Sequence, residues 1–250
     1  QALENVGLSF NLAHAERDPS TYGIAYWFPP ENPLMRKTNL AARKRDTVGA
    51  RADWAVSETV SLGLGVDYAN DDYHETVVGL TDADTLNLAA DITVALSEHT
   101  RFHAFAQGEK TESRQTGSQA FGVPDWTGKV DDKFEVLGFG IKHAAIPDKL
   151  DLGADLWLSR ARSDISTQTT ISDPPFPTAK TTRDVVKLYA NYKINDKASL
   201  YGSYWYEAYD SQDWRLDGVQ PATVSNLLAF GNQAPRYYQN VVQVSLRYRF

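Results

Sequence analysis

The chain has 250 residues, no cysteine, a net charge of -7 and a mean hydropathy of -0.44. The missing cysteines exclude a disulfide framework, a zinc–thiolate centre and covalent haem attachment, which needs C-x-x-C-H. The acidic balance argues against a nucleic-acid partner. No apolar run approaches the roughly 20 residues of a membrane-spanning helix: the longest uncharged apolar stretch is Ile24 to Phe28. A transmembrane barrel is compatible with these values, because only alternate residues of its strands face lipid.

Period-two alternation runs through the chain. It predicts about ten strands near residues 4–15, 46–57, 59–70, 84–97, 100–113, 132–145, 149–163, 183–194, 198–210 and 237–250. In the third, Val60, Leu62, Leu64, Val66 and Tyr68 oppose Ser61, Gly63, Gly65 and Asp67. In the fourth, Leu86, Leu88, Ala90, Ile92, Val94 and Leu96 share one face. In the last, Val242, Val244, Leu246, Tyr248 and Phe250 oppose Gln243, Ser245, Arg247 and Arg249. Strict alternation of this kind is a strand with one apolar side. Each predicted strand has room for the 9–11 residues or so that cross a bilayer at a tilt.

The connections alternate in length. Ser57-Glu58-Thr59, Ser97-Glu98-His99-Thr100, Ile146-Pro147-Asp148-Lys149 and Asn195-Asp196-Lys197 are tight, while about 16–45, 71–83, 114–131, 164–182 and 211–236 are long and polar. In an up-and-down meander all short turns then lie at one end and all long loops at the other. Outer-membrane barrels have this asymmetry, with short periplasmic turns and longer extracellular loops. The predicted fold is therefore all-β: a transmembrane antiparallel up-and-down β-barrel, with residues 1–250 forming one barrel domain or barrel segment.

Facing follows from parity. Leu62, Leu64, Leu88, Ile92, Leu156, Leu188, Val244 and Leu246 are expected to face lipid. Arg51, Asp53, Asp67, Asp91, Arg101, Lys142, Asp151, Asp155, Lys187, Glu207, Arg247 and Arg249 are expected on a polar, lumen-facing side, paired or wet because unpaired buried charge is costly. Gly49, Gly63, Gly65, Gly138, Gly140, Gly153 and Gly202 are read onto that side too. Aromatic residues such as Trp54, Tyr192, Tyr204, Tyr206 and Tyr248 fall on the apolar side. The histidines form no H-x-x-x-H and neighbour no nucleophile elbow, so no catalytic, cofactor or metal site is assigned. A basic run, Arg36-Lys37 and Arg43-Lys44-Arg45, is read either as solvated loop ends or as a contact for lipopolysaccharide phosphates or an acidic partner.

Tyr248 and Phe250 are expected in the periplasmic aromatic girdle, with Phe250 as the terminal insertion signal. Deleting Phe250 is expected to lower the amount of heat-modifiable, protease-protected barrel more than any change in the loops, and unchanged levels would count against this reading. The chain has no export signal ahead of its first strand, which suits a mature N-terminus or a start inside a longer chain.

Several segments resemble the MtrB/PioB family of outer-membrane barrels that sheath multihaem c-type cytochromes. One is Asn32-Pro33-Leu34-Met35-Arg36-Lys37-Thr38-Asn39-Leu40-Ala41, followed by Arg43 and Arg45. Another is Pro124-Asp125-Trp126 with Asp131 and Asp132. The third comprises Pro221, Asn226, Leu227, Leu228, Gly231, Tyr237 or Tyr238, then Val-Ser-Leu-Arg-Tyr-Arg-Phe at 244–250. The resemblance implies an outer-membrane location and a non-catalytic role around a multihaem cytochrome, with haem present only through that partner. It also implies a barrel far wider than ten strands can close, so that this chain would be the C-terminal part of a larger barrel. The alternative is a small porin-like barrel for passive diffusion. The two differ at the first and last strands. A small barrel closes by pairing them, whereas a segment leaves them as the two edges of an open sheet, the outcome expected here.

Overall fold

The structure, a computed structural model, describes residues 5–18, 31–169, 176–214 and 236–249. Phe250 and the motif residues Pro221, Asn226, Leu227, Leu228 and Gly231 lie outside them. Ten strands form one antiparallel sheet: β1 (Val6–Arg17), β2 (Arg43–Ser57), β3 (Val60–Asp72), β4 (Gly79–Ser97), β5 (Thr100–Gly117), β6 (Trp126–Ile146), β7 (Leu150–Gln168), β8 (Ala179–Lys193), β9 (Ala198–Gln212) and β10 (Arg236–Tyr248). Each strand pairs with its sequence neighbours, in the order β1 to β10. No ladder joins β1 to β10 among the described residues, so the sheet is open.

Local chemistry sets the tight ends. In the β6–β7 turn Pro147 precedes Asp148, which is left-handed at φ 61, and the Lys149 amide donates to the Ile146 carbonyl at 2.9 Å. Proline followed by a left-handed residue is the signature of a tight turn. In the β8–β9 turn the Asn195 carboxamide oxygen accepts from the amides of Lys197 and Ala198, both at 2.9 Å, which closes an Asx turn.

The strands outrun their predicted lengths at the long-loop end. β4 starts at Gly79, β5 runs to Gly117, β6 starts at Trp126 and β7 reaches Gln168. The loops between are correspondingly shorter than expected. Alternation of apolar and polar residues lasts only as long as lipid covers one face, whereas backbone pairing continues beyond it.

The described residues form almost no internal core. Among the described residues the buried apolar side chains are Ala41, Ala42, Tyr73, Val78, Ala83, Ala179 and Val185. The accessible surface is 17066 Å², against about 11,000 Å² for a globular protein of this mass. The leucines and valines have instead gone to one face of the sheet. The register carries Leu62, Ile92, Ala104, Phe139, Leu156, Val186 and Tyr206 across β3 to β9 in one row. Leu64, Leu88, Leu188, Val244 and Leu246 lie on that same face. Gly202 also lies there, between Leu200 and Tyr204, and not on the polar face, where it was expected. Glycine has no side chain to declare a face, so only counting from its neighbours places it.

The apolar band has membrane dimensions. On β4 it runs from Leu86 to Leu96, which is about 33 Å along the strand and about 27 Å in height once tilted. That is close to the ~25 Å band of outer-membrane barrels. Its upper edge also slants across the sheet. The last aliphatic residue on β1 is Leu12, in the row Val48, Tyr68, Leu86, Lys110, Lys133, Arg162 and Lys180. The last on β10 is Val242, in the row of Tyr204 and Leu188. Lys180 and Leu188 are eight residues apart on β8. The edge therefore drops by about 26 Å over about 43 Å of sheet, a slope of roughly 30°. Barrel strands tilt by about 35–45°, so a level membrane surface crossing tilted strands accounts for the slant.

Candidate functional site: a polar wall and the loop at its mouth

The opposite face carries the charges. Register places Arg51, Asp53, Asp67, Asp91, Arg101, Lys142, Asp151, Asp155, Lys187, Glu207 and Arg247 together on it. Arg249 follows β10, its amide donating to the Lys197 carbonyl at 2.8 Å. Tyr248 is on the apolar face, at the end of β10. Many of the polar-face charges are paired, along a strand or across to a neighbour. Arg51 reaches Asp53 at 2.8 Å and Asp91 at 3.0 Å, Lys142 reaches Asp151 at 2.9 Å, and Arg183 reaches Glu207 at 2.7 Å. Glu207 also accepts from the Tyr237 hydroxyl at 2.6 Å and from the Trp205 indole at 3.3 Å.

Glycine makes several of these pairs geometrically available. Arg51 crosses Gly63 to meet Asp91, and a Cβ on Gly63 would strike both side chains. His103, Gly140 and Asp155 stand in one row across β5, β6 and β7, with the imidazole 3.9 Å from the carboxylate. Phe105 lies over Gly138 and Tyr189 over Gly153 in the same way. Side chains thus lie along the sheet instead of standing up from it, and the wall has low relief.

The wall has two sectors. From β2 to β6 it is charged and glycine-rich. From β7 to β10 it is aromatic: Trp157 packs on Trp205 at 5.5 Å, Tyr189 on Tyr201 at 6.4 Å, and Tyr209 on Tyr237 at 4.9 Å. Cations lie over two of these rings, Lys187 over Tyr189 at 5.6 Å and Arg247 over Tyr201 at 5.1 Å. Among the described residues no group of three or more His, Asp or Glu side chains converges to hold a metal.

At the long-loop end a packed segment adjoins the wall. Residues 31–42 descend onto the β3–β4 hairpin: the Arg36 amide donates to the Val78 carbonyl at 2.8 Å, and the Val78 amide to Leu34 at 3.2 Å. The Asn32 carboxamide donates to the Gly122 carbonyl at 3.0 Å, which ties in the β5–β6 loop. Gly79 is required here, because at φ 130 it adopts a conformation side chains avoid and any Cβ would meet the Arg36 carbonyl. Arg17 fastens the other end, donating to the carbonyls of Ala41 at 3.0 Å and Thr38 at 2.6 Å. Asp71 lies beneath, 4% exposed, and accepts from Arg45 at 2.7 and 2.5 Å in a bidentate pair. The basic run of this loop is consumed internally. Arg43 and Arg45 face Asp71, Lys44 faces Glu16, and Lys37 pairs with Glu31. Sequence reasoning missed this packing, because it depends on three segments distant in the chain.

A membrane-high apolar band backed by a paired, low-relief polar face defines the wall of an outer-membrane β-barrel. The family described as "Putative outer membrane beta-barrel porin, MtrB/PioB" matches residues 1–250, and the chain belongs to it. It is 32% identical over 240 residues to "Outer membrane protein MtrB" of Shewanella baltica (strain OS185), covering 95% of this chain and 34% of that protein. The chain thus spans about a third of the length of this relative. Among solved structures it resembles the copper transporter OprC, with a TM-score of 0.63, 12% identity, and coverage of 97% of this chain and 38% of that one. It also resembles BauA, the ferric preacinetobactin receptor from Acinetobacter baumannii, with a TM-score of 0.61, 10% identity, and coverage of 97% and 40%. These likenesses show the fold: nearly all of this chain superposes on part of a longer chain in each.

Proposed function

We propose that this chain is an arc of a wide outer-membrane barrel that sheaths a multihaem c-type cytochrome, with the long loops outside the cell and the short turns in the periplasm. The sheath is non-catalytic. It keeps the polar surface of the partner out of lipid, where unpaired polar groups are costly, and the redox chemistry stays with the haems. The low-relief wall suits close approach of a large partner, and the aromatic sector from β7 to β10 offers it apolar contact.

The open sheet carries this reading. Phe10 on β1 is 78% exposed and Val242 on β10 is 75% exposed, as side chains at unpaired edges are. Edges cannot stay unpaired in lipid, where each orphan backbone group costs several kcal/mol. Closing ten strands gives a backbone diameter of only about 20 Å, which side chains nearly fill. Scaling ten strands by the length of the MtrB relative gives on the order of 25–30 strands and a diameter of about 50 Å, within the range bacterial barrels reach.

Cysteines placed along β1 (Ser9, Asn11, Ala13) and β10 (Val241, Gln243, Ser245) of the full-length protein test this in outer-membrane vesicles. No disulfide between the two strands is expected. A register-consistent series of β1–β10 disulfides would establish a closed narrow barrel and the small-porin alternative.

A further inference from the structure

On the outward face the register sets Lys110, Lys133, Arg162 and Lys180 directly opposite one another on β5, β6, β7 and β8, next to the apolar band on β5 and six residues above its last aliphatic residue, Val186, on β8. All four are exposed. Like charges directly opposite on neighbouring strands destabilise a sheet, so three successive cation–cation pairs need a reason. Carboxylates do exist in the adjoining rows: Glu135 borders Lys133 on the band side, and those beyond the row are held by cations, Arg162 among them. Glu112 pairs with Arg114 at 2.5 Å and Lys129 at 3.0 Å, and Asp131 with Lys129 at 3.2 Å. Asp164 holds Arg162 at 2.8 Å. Lys110 is only at 3.9 and 4.0 Å from its carboxylates, and no ion pair involves Lys133 or Lys180 among the described residues. Between them lies a surface depression of about 360 Å³ whose polar lining is Lys133, Arg160, Arg162, Lys180, Thr181 and Thr182, with one carboxylate, Glu135, against four cations.

We propose that this row is a binding site for the phosphates of lipopolysaccharide, with Lys133 and Lys180 as the principal cations. The inference rests on the reading above, that the long loops face outward. The row begins where the apolar band ends on β5, after Ala106 and Gly108, at the level of lipid headgroups. Because it runs perpendicular to tilted strands, it climbs by about 8 Å from Lys110 to Lys180. Lipopolysaccharide carries anionic groups at successive heights, on lipid A and on the inner core. A glycerophospholipid offers one phosphate at one height, so the oblique row matches the former. Bound phosphates would relieve the cation–cation repulsion and lock β5 to β8 together.

The test uses the full-length protein in detergent with four probes: lipopolysaccharide, the same lipopolysaccharide chemically dephosphorylated, phosphatidylglycerol vesicles and inorganic phosphate. Wild type is expected to bind intact lipopolysaccharide at least tenfold more tightly than the other three. K133Q/K180Q is expected to lose about tenfold or more of that affinity, while K44Q, whose lysine pairs with Glu16, binds as wild type. Without lipid, K133Q/K180Q is expected to melt no lower than wild type, since a repulsion has been removed. Equal binding of intact and dephosphorylated lipopolysaccharide, preference for phosphatidylglycerol, or unchanged affinity in K133Q/K180Q would overturn the site. Labelling of Val123→Cys on intact cells separates the two failures. If the cysteine labels and the double variant still binds, the site alone is wrong. If it does not label, the orientation beneath it is wrong.

Discussion

Ile92→Arg is expected to cost about 2–4 kcal/mol of barrel stability and to cut the amount of assembled protein sharply. Ile92 stands on the apolar face of β4, four residues from the turn-side end of the band at Leu96 and flanked across the ladder by Leu62 and Ala104. No carboxylate shares that row from β3 to β8, so a guanidinium there has only lipid to face, and the cost is greatest near the bilayer midplane. Thr93→Arg, one residue away on the polar face, is expected to cost far less. Urea unfolding in lipid vesicles, read beside heat-modifiable mobility, distinguishes the two. Equal costs, or a larger cost at Thr93, would invert the assignment of faces.

Asp71→Ala is expected to free the loop at the mouth while leaving the barrel folded. The Asp71 carboxylate is buried and holds Arg45 bidentately with Arg43 nearby. Breaking a fully buried pair costs about 3–5 kcal/mol. Arg45 is 40% exposed along its side chain, so solvent screening reduces that to about 2 kcal/mol. Hydrogen exchange of residues 31–42 should rise, and trypsin should cut after Arg36 or Lys37. The β6–β7 ladder should keep its protection. Unchanged protection of the loop would show that the backbone bonds to Val78 and the contact with Gly122 suffice without Asp71.

What the sequence discloses depends on where lipid is. Between the tight turns and the top of the band each strand has one apolar and one polar face. There the expected and observed strands agree closely: β2 ends at Ser57, as expected, and β3 begins at Val60. Above the band both faces are polar, and the first turns of β4 and β6 read as loop although their ladders persist. Parity alone collects the polar wall, from Arg51 on β2 to Arg247 on β10. It does not show that Arg51 reaches Asp91, because that contact depends on the absence of a side chain at Gly63. The same limit hides the row of Lys110, Lys133, Arg162 and Lys180. Each residue is an ordinary exposed cation in its own strand, and only cross-strand register reveals that they face one another. The segment from Asn32 to Arg45 is legible only as a family resemblance, and its packing through Asn32, Arg45 and Asp71 is not legible, because the partners lie in distant segments.

In the proposed sheath the polar face encloses a haem-bearing partner. A photo-crosslinking residue at Gln107, on the polar face of β5, tests it against the same residue at Ala106, one position along and on the apolar face. The full-length protein is illuminated in native outer membranes, and adducts are stained for haem. A haem-positive adduct from Gln107 and none from Ala106 is the expected result. No haem adduct from Gln107, or an equal one from Ala106, would contradict the sheath.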